Sequence, residues 1–179
     1  SEFRKTWQLS TYDQLVAHAS AGAIWAYGNS SAAPWSEQFY VGGANSIRAF
    51  TVRSIGPGSY QPHQNTTSYL DQTGDIKLLC NLEYRPRLFG NLYGALFLDG
   101  GNVWTMHEDD SRPNGHFRLK SFLKEMALGT GVGLRYNLDF FVIRVDWGVG
   151  LHVPNRNGFY NVRSFKDSQS LHLAIGYPF

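Results

Sequence analysis

The stretch FVIRVDWGVGLH, residues 141–152, alternates between two kinds of side chain with a period of two. One face carries only apolar residues: Phe141, Ile143, Val145, Trp147, Val149 and Leu151. The opposite face carries valine, arginine, aspartate, two glycines and histidine, at positions 142, 144, 146, 148, 150 and 152. Successive side chains of a β-strand point to opposite faces of the sheet. The pattern therefore predicts a strand with one apolar side and one mostly polar or small side.

The same alternation recurs along the chain. It is present in DIKLLCNLEYR (75–85), LYGALFLDGGNVW (92–104), MALGTGVGLRYN (126–137) and the terminal LHLAIGYPF (171–179). Two further strands are predicted near 3–10 and 15–28, which gives about seven strands and no convincing helix. The 179 residues are enough for one domain with a core, so we expect a single all-β unit over 1–179.

The predicted connections are alternately short and long. Short ones lie near 11–14, 86–91 and 137–139, and long ones near 29–74, 105–124 and 153–169. Short turns at one end and long loops at the other are typical of an antiparallel up-and-down transmembrane β-barrel. Each strand also has about the ten residues that a tilted strand needs to cross a bilayer.

A soluble β-sandwich would also alternate apolar and polar faces. Its exposed face would carry many long, solvated side chains, whereas here the less apolar face is rich in glycine, alanine and asparagine. A glycine-rich inner surface fits a barrel in which another segment packs closely against the strands. The sequence favours the membrane barrel.

Composition excludes several classes of function. The net charge is only +2 with scattered basic residues, so there is no electrostatic footprint for nucleic acid. Cys80 is the only cysteine and the histidines lack metal-ligand spacing, so we expect no metal and no cofactor. No nucleophile or base accompanies any carboxylate pair, and we expect no catalytic residues and no enzyme activity.

The segment FYVGGANSIRAF, residues 39–50, resembles the BamA/TamA-type outer-membrane assembly and translocation barrels, the bacterial surface antigen family. The resemblance continues, in order and spacing, through LEYRPRLF (82–89), LFLDGGNVW (96–104), GTGVGLRY (129–136), VIRVDWGVGL (142–151) and LAIGYPF (173–179). It implies that the chain supplies about seven C-terminal strands of a sixteen-stranded barrel in the outer membrane of a Gram-negative bacterium. N-terminal barrel strands and periplasmic repeat domains would then be its partners.

The resemblance assigns a role to the loop at 29–74. Its motif comprises Gly42, Gly43, Ile47, Arg48, Ala49 and Phe50, with alanine where the family usually has glycine. The family pattern implies that this loop folds into the barrel lumen and that Arg48 lies near Glu83 and Asp99. The period-two pattern agrees, because both acids fall on the face opposite the apolar residues. We expect the inner glycines Gly129, Gly131 and Gly133 to make room for the loop backbone.

The last strand is the second candidate site. Leu171, Leu173, Ile175, Tyr177 and Phe179 are predicted to alternate outward, with Phe179 at the membrane boundary. The resemblance implies that this strand forms one side of a weak seam, whose opening exposes backbone groups that pair with an incoming strand.

The resemblance therefore predicts an outer-membrane protein assembly, insertion or translocation factor that acts on membrane lipids and unfolded outer-membrane client proteins. The alternative is a passive or two-partner secretion-type transport pore.

Overall fold

The computed structural model of the chain describes residues 1–26, 33–34, 36–61, 72–156, 158, 160–162, 166 and 168–179. They form eight β-strands: β1 (Glu2–Gln8), β2 (Gln14–Ala23), β3 (Ile76–Arg85), β4 (Arg87–Phe89), β5 (Leu92–Trp104), β6 (Ala127–Asn137), β7 (Val142–His152) and β8 (Gln169–Ile175). The strand that the sequence analysis did not predict is β4, which has three residues and pairs only with β5. It is too short to show a period of two. Positions 27–28 of the predicted second strand lie outside the described residues.

The strands form one antiparallel sheet in the order β1-β2-β3-β5-β6-β7-β8. Neighbours in the sheet follow each other along the chain, apart from the short β4, so the up-and-down prediction is confirmed. Within the described ranges β1 and β8 do not pair, and the sheet is an open part of a barrel with two edges. No helix in these ranges is long and apolar enough to span a membrane.

The two faces of the sheet differ as the alternation predicts. The outward rows remain exposed and consist of apolar side chains, among them Leu82, Leu96, Leu98, Val132, Leu134, Val145, Trp147, Leu171, Leu173 and Ile175. The inward rows are buried and carry the charged residues Glu83, Asp99, Arg135, Arg144 and Asp146. A sheet that exposes apolar residues and buries charged ones is oriented for lipid on its convex side.

The concave side is filled by residues 36–61 of the long predicted loop. Val41, Ile47 and Ile55 of this loop form a buried apolar cluster with residues of three strands, namely Leu79, Val103 and Ala127. The burial of these side chains supplies the hydrophobic contribution that keeps the loop inside the curve of the sheet. Residues 29–32, 35 and 62–71 of the predicted loop lie outside the described residues.

Candidate functional site

Arg48 lies at the centre of the concave side and donates hydrogen bonds to two carboxylates. Its Nε and Nη2 donate to the two oxygens of Asp99, each at 2.8 Å, and its backbone N–H also donates to Asp99 at 3.0 Å. Its Nη1 donates to Glu83. All three side chains are completely buried. The planar guanidinium matches this fork of acceptors, which a lysine ammonium could not reproduce.

The face of the same guanidinium lies over an aromatic ring. The Cζ atom of Arg48 is 3.7 Å from the centroid of Phe97, an inward residue of β5. A desolvated cation over a ring face gains roughly 2 kcal/mol or more. Burial alone would lower the pKa of the Arg48 guanidinium, but hydrogen bonds and charges from Asp99 and Glu83 raise it overall. Arg48 therefore stays a cation in its buried position.

The ion pairs continue across the inner face of the sheet. Glu83 also accepts from Nε of Arg85 at 2.6 Å and from Nη2 of Arg135 at 3.2 Å. Arg135 and Arg144 then meet Asp146 at 2.6 Å and 2.8 Å. Sequence reasoning did not name Arg85, Arg135, Arg144 or Asp146 as part of the site. The signal present in the sequence was the period of two, which places these four charged residues on the inner face of the sheet, where lipid does not reach.

Three strands hold the backbone of the loop around Arg48. Nη1 of Arg144 donates to the carbonyl oxygen of Ala44 at 2.8 Å, and Nδ2 of Asn81 donates to that of Ser46 at 2.8 Å. Nε2 of His172, on β8, donates to the carbonyl oxygen of Arg48 at 2.9 Å. The loop is therefore bound to β7, β3 and β8 at once, and its position depends on the last strand as well as on the two carboxylates.

The glycine pair ahead of the motif adopts a backbone conformation that L side chains rarely reach. Gly42 and Gly43 have φ of 98° and 92°, and the N–H of Gly43 donates to the carbonyl oxygen of Phe50 at 2.7 Å. The bond closes a compact turn with Ile47 and Arg48 at its tip. Ala49, where the family usually has glycine, is not among the positive-φ residues. Its side chain therefore adds no backbone strain.

The loop backbone approaches the sheet at two strand glycines. A Cβ added to Gly148 would lie 2.5 Å from the carbonyl oxygen of Arg48, and one added to Gly129 would overlap Ala49. The prediction for Gly131 and Gly133 is wrong, because their nearest neighbours are not the loop. Phe97 and the backbone of β7 occupy the space at Gly131, and Asp146 and Arg135 occupy that at Gly133.

The predicted outward placement of Tyr177 and Phe179 is wrong. The strand β8 ends at Ile175, and Gly176 has φ of 89°, which breaks the period of two. The ring of Phe179 stacks on inward-facing His18 at 5.0 Å, and the ring of Tyr177 lies 4.4 Å from the guanidinium of Arg85. The two aromatic residues therefore turn toward the inner face, and Phe179 does not lie at the membrane boundary.

The free edge of the last strand is the other part of the site. β8 pairs with β7 from Ile143↔Ile175 to Val149↔Gln169. Leu171, Leu173 and Ile175 point outward and are 72–77% exposed. On its other side β8 has no partner strand in the part of the chain that the structure describes. Along residues 170–175, the backbone N–H and C=O groups on that side can pair with a further strand.

Comparison with known proteins decides the family. The sequence matches the Omp85 superfamily domain over residues 2–179, almost the whole chain. The chain belongs to the Omp85 superfamily. With the exposed apolar strands, this membership makes it a segment of an outer-membrane β-barrel.

Curated relatives of this Omp85 chain include the sorting and assembly machinery component 50 homologs of Mus musculus and Homo sapiens. Each is 32% identical over 103 residues, which cover 56% of the chain and 21% of the relative. The homolog of Xenopus tropicalis is 31% identical over the same length. The matched segment spans about a fifth of the length of these relatives.

Solved structures show the same fold. BamA from Haemophilus ducreyi lacking POTRA domains 1-3 matches 97% of the chain over 34% of its own length, with a TM-score of 0.65 and 15% identity. CdiB from Acinetobacter baumannii matches 97% of the chain over 25% of its own length, with a TM-score of 0.55 and 18% identity. At these identities the matches establish the fold of the Omp85 segment alone.

Proposed function

We propose that the chain works within an outer-membrane protein assembly, insertion or translocation factor, and that the free edge of β8 templates an incoming strand. The observation that carries this proposal is the one-sided pairing of β8, which binds β7 along its length and has no partner strand on its other side among the described residues. In the closed barrel this edge of β8 would pair with the protein's own first barrel strand. An incoming strand would replace those backbone hydrogen bonds with an equivalent set. The exchange would then be close to neutral in free energy, and no covalent step is needed.

The buried network supports the same mechanism by fixing the position of the edge. His172 of β8 donates to the carbonyl oxygen of Arg48, while Arg48 is bound to Asp99 and Glu83 on the central strands. The loop motif thus acts as an anchor between the middle of the sheet and its last strand. We propose that Arg48 keeps β8 in register while the other edge of the strand exchanges partners.

The proposal includes the location and the partners that this mechanism needs. Residues 1–179 would be the C-terminal part of a barrel domain in the outer membrane of a Gram-negative bacterium. N-terminal barrel strands would meet β8 when the seam is closed, and periplasmic repeat domains would deliver unfolded outer-membrane client proteins. Lipids would cover the apolar rows of the sheet.

A passive or two-partner secretion-type pore is the second candidate, since CdiB shares the fold. Against it stands the loop of residues 36–61, which occupies the concave side with buried apolar and ionic contacts. Single-channel conductance distinguishes the two functions. A steady open pore in the wild-type protein would favour transport, whereas low conductance that rises in Arg48→Ala would favour an anchored loop.

Disulfide crosslinking in native membranes tests the templating proposal. The native Cys80 is exposed and is first replaced by serine. A single cysteine is then placed at Leu173, on the edge strand, or at its register partner Val145 on β7. Both positions face outward, but β7 has partner strands on both sides. A client barrel with cysteines along its terminal strands is stalled during insertion and oxidised.

The expected result is a crosslink between the client and position 173, with none from position 145. Crosslinks that form equally from both positions would indicate random collision in the membrane. Crosslinks from position 173 only to the protein's own first barrel strand, while clients are being inserted, would refute templating by this edge.

A further inference from the structure

A second feature, separate from the loop motif and the edge, lies where the sheet meets its long connections. A cavity of about 520 Å³ opens between the segment before β6 and the end of β7. Its lining includes Leu123, Lys124, Leu128, His152 and Arg156. This volume falls within the range of small-molecule sites. The cavity combines two cationic side chains with an apolar surface.

The position of the cavity relative to the membrane follows from the strand register. Leu128 is the second residue of β6 and pairs with His152, the last residue of β7, so the cavity lies at the long-loop end of the sheet. Leu128 belongs to the same outward row as Val132 and Leu134, which are each 48% exposed. One wall of the cavity is therefore continuous with the lipid-facing surface, at the level where headgroups meet acyl chains.

The polar side of the cavity is arranged for an anion. Lys124 lies in the connection before β6 and Arg156 in the connection after β7, so the two cations come from different connections that line the same cavity. The one acidic residue of the lining, Glu125, already accepts from Nε1 of Trp104 at 2.6 Å and from the hydroxyl of Ser121 at 2.8 Å. Its Oε1 also lies 3.9 Å from Nη2 of Arg118, and its single negative charge is exceeded by the two positive charges of Lys124 and Arg156.

We propose that this cavity binds one anionic membrane lipid, with a phosphate group between Lys124 and Arg156 and an acyl chain along Leu123 and Leu128. Leu123 is 73% exposed in the connection just before β6, as a lipid contact requires. The hydrogen bond from Nδ1 of His152 to the carbonyl oxygen of Met126, at 2.9 Å, fixes one wall. The bound lipid would link the two long connections across the ends of β6 and β7.

Native mass spectrometry of the detergent-purified protein, titrated with phosphatidylglycerol or phosphatidylcholine, tests the site. One bound phosphatidylglycerol is expected, with weaker binding of phosphatidylcholine. Removing a basic residue near an anionic lipid should weaken binding about fivefold for Lys124→Gln and roughly 25-fold for Lys124→Gln with Arg156→Gln. Lys120→Gln is the matched control, since Lys120 is an exposed lysine on the same segment that does not line the cavity.

Two further measurements distinguish binding of a lipid from binding of a small anion. Leu123→Ser should weaken phosphatidylglycerol binding while both cations are intact, because it removes an acyl contact from an exposed position. Glycerol phosphate, which has the anion without the chain, should not compete. Equal losses of phosphatidylglycerol affinity in Lys120→Gln and Lys124→Gln would overturn the proposal. Displacement of the bound lipid by glycerol phosphate would also overturn it. All four variants change exposed positions, and circular dichroism checks that each variant folds.

Discussion

The phenyl ring of Phe179 lies flat on the imidazole of His18, with 5.0 Å between the ring centroids and 9° between their planes. His18 is on β2, and its ring nitrogens also face Asn81 at 2.9 Å and Glu2 at 2.8 Å. The residues after β8 therefore reach the strands near the opposite edge of the sheet. This contact links the two ends of the sheet on its inner face, although β1 and β8 themselves do not pair among the described residues.

We predict that His18 and Phe179 are energetically coupled. Stacked aromatic pairs contribute about 0.5–1.5 kcal/mol beyond the area they bury. A double-mutant cycle of His18→Ala and Phe179→Ala should therefore show a coupling energy of this size in the free energy of unfolding in lipid vesicles. If the ring of Phe179 were instead anchored at the membrane boundary, the double variant would lose the sum of the unfolding free energies that the two single variants lose.

Arg48→Ala should destabilise the protein by roughly 3–5 kcal/mol, because it leaves two buried carboxylates without their main partner. The measurement is the urea dependence of unfolding, followed by the gel-mobility difference between the folded and heated protein. Arg87→Ala is the control, since Arg87 is an exposed arginine on β4 and its loss should cost less than about 1 kcal/mol. Similar losses in the two variants would contradict a special role for the buried network.

Arg48→Lys separates charge from geometry at the same position. A lysine keeps the positive charge but cannot form the paired hydrogen bonds to Asp99 or present a planar face to Phe97. We expect it to recover less than half of the stability that Arg48→Ala loses. Full recovery would show that the charge alone matters.

Gly148→Ala should displace the loop from the sheet. The added Cβ would meet the carbonyl oxygen of Arg48 at 2.5 Å and the Cα of Ala49 at 2.9 Å, and both atoms belong to the backbone. Overpacking of this kind costs about 1–3 kcal/mol. Faster trypsin cleavage after Arg53, in the same loop, is the readout. Gly94→Ala is the control, because its Cβ would come no closer than 3.4 Å to any neighbour and should leave the cleavage rate unchanged.

The sequence predicts the strands well because lipid and lumen impose opposite requirements on alternate residues. Inward Glu83 and Asp99 and outward Leu96 and Leu98 follow directly from the period of two. The pattern also places Arg135 and Asp146 on the inner face, but it does not predict which residues their side chains contact. Which charges meet depends on the curvature of the sheet and the depth of the loop, and neither is encoded in local alternation.

The period of two does not predict the positions of the last residues of the chain. Tyr177 and Phe179 keep the sequence spacing of Leu171 and Leu173, yet the positive φ of Gly176 ends the strand before them. A glycine within a strand pattern marks such a break. The inner face also offers these rings cationic and aromatic partners, in Arg85 and His18, that a lipid boundary lacks.

Lysine substitutions along β8 should reveal the depth of the strand in the membrane. Leu171 and Ile175 are similarly exposed, at 72% and 76%, so they form a matched pair. Leu171 pairs with Trp147, the sixth of the eleven residues of β7, whereas Ile175 pairs with Ile143, the second. Leu171 therefore lies near the bilayer midplane and Ile175 near the short-turn interface. Leu171→Lys should cost about 2–4 kcal/mol and Ile175→Lys about 0–1 kcal/mol. Reversible unfolding from phosphatidylcholine vesicles measures both values, and equal costs would show that β8 does not cross the membrane at this depth.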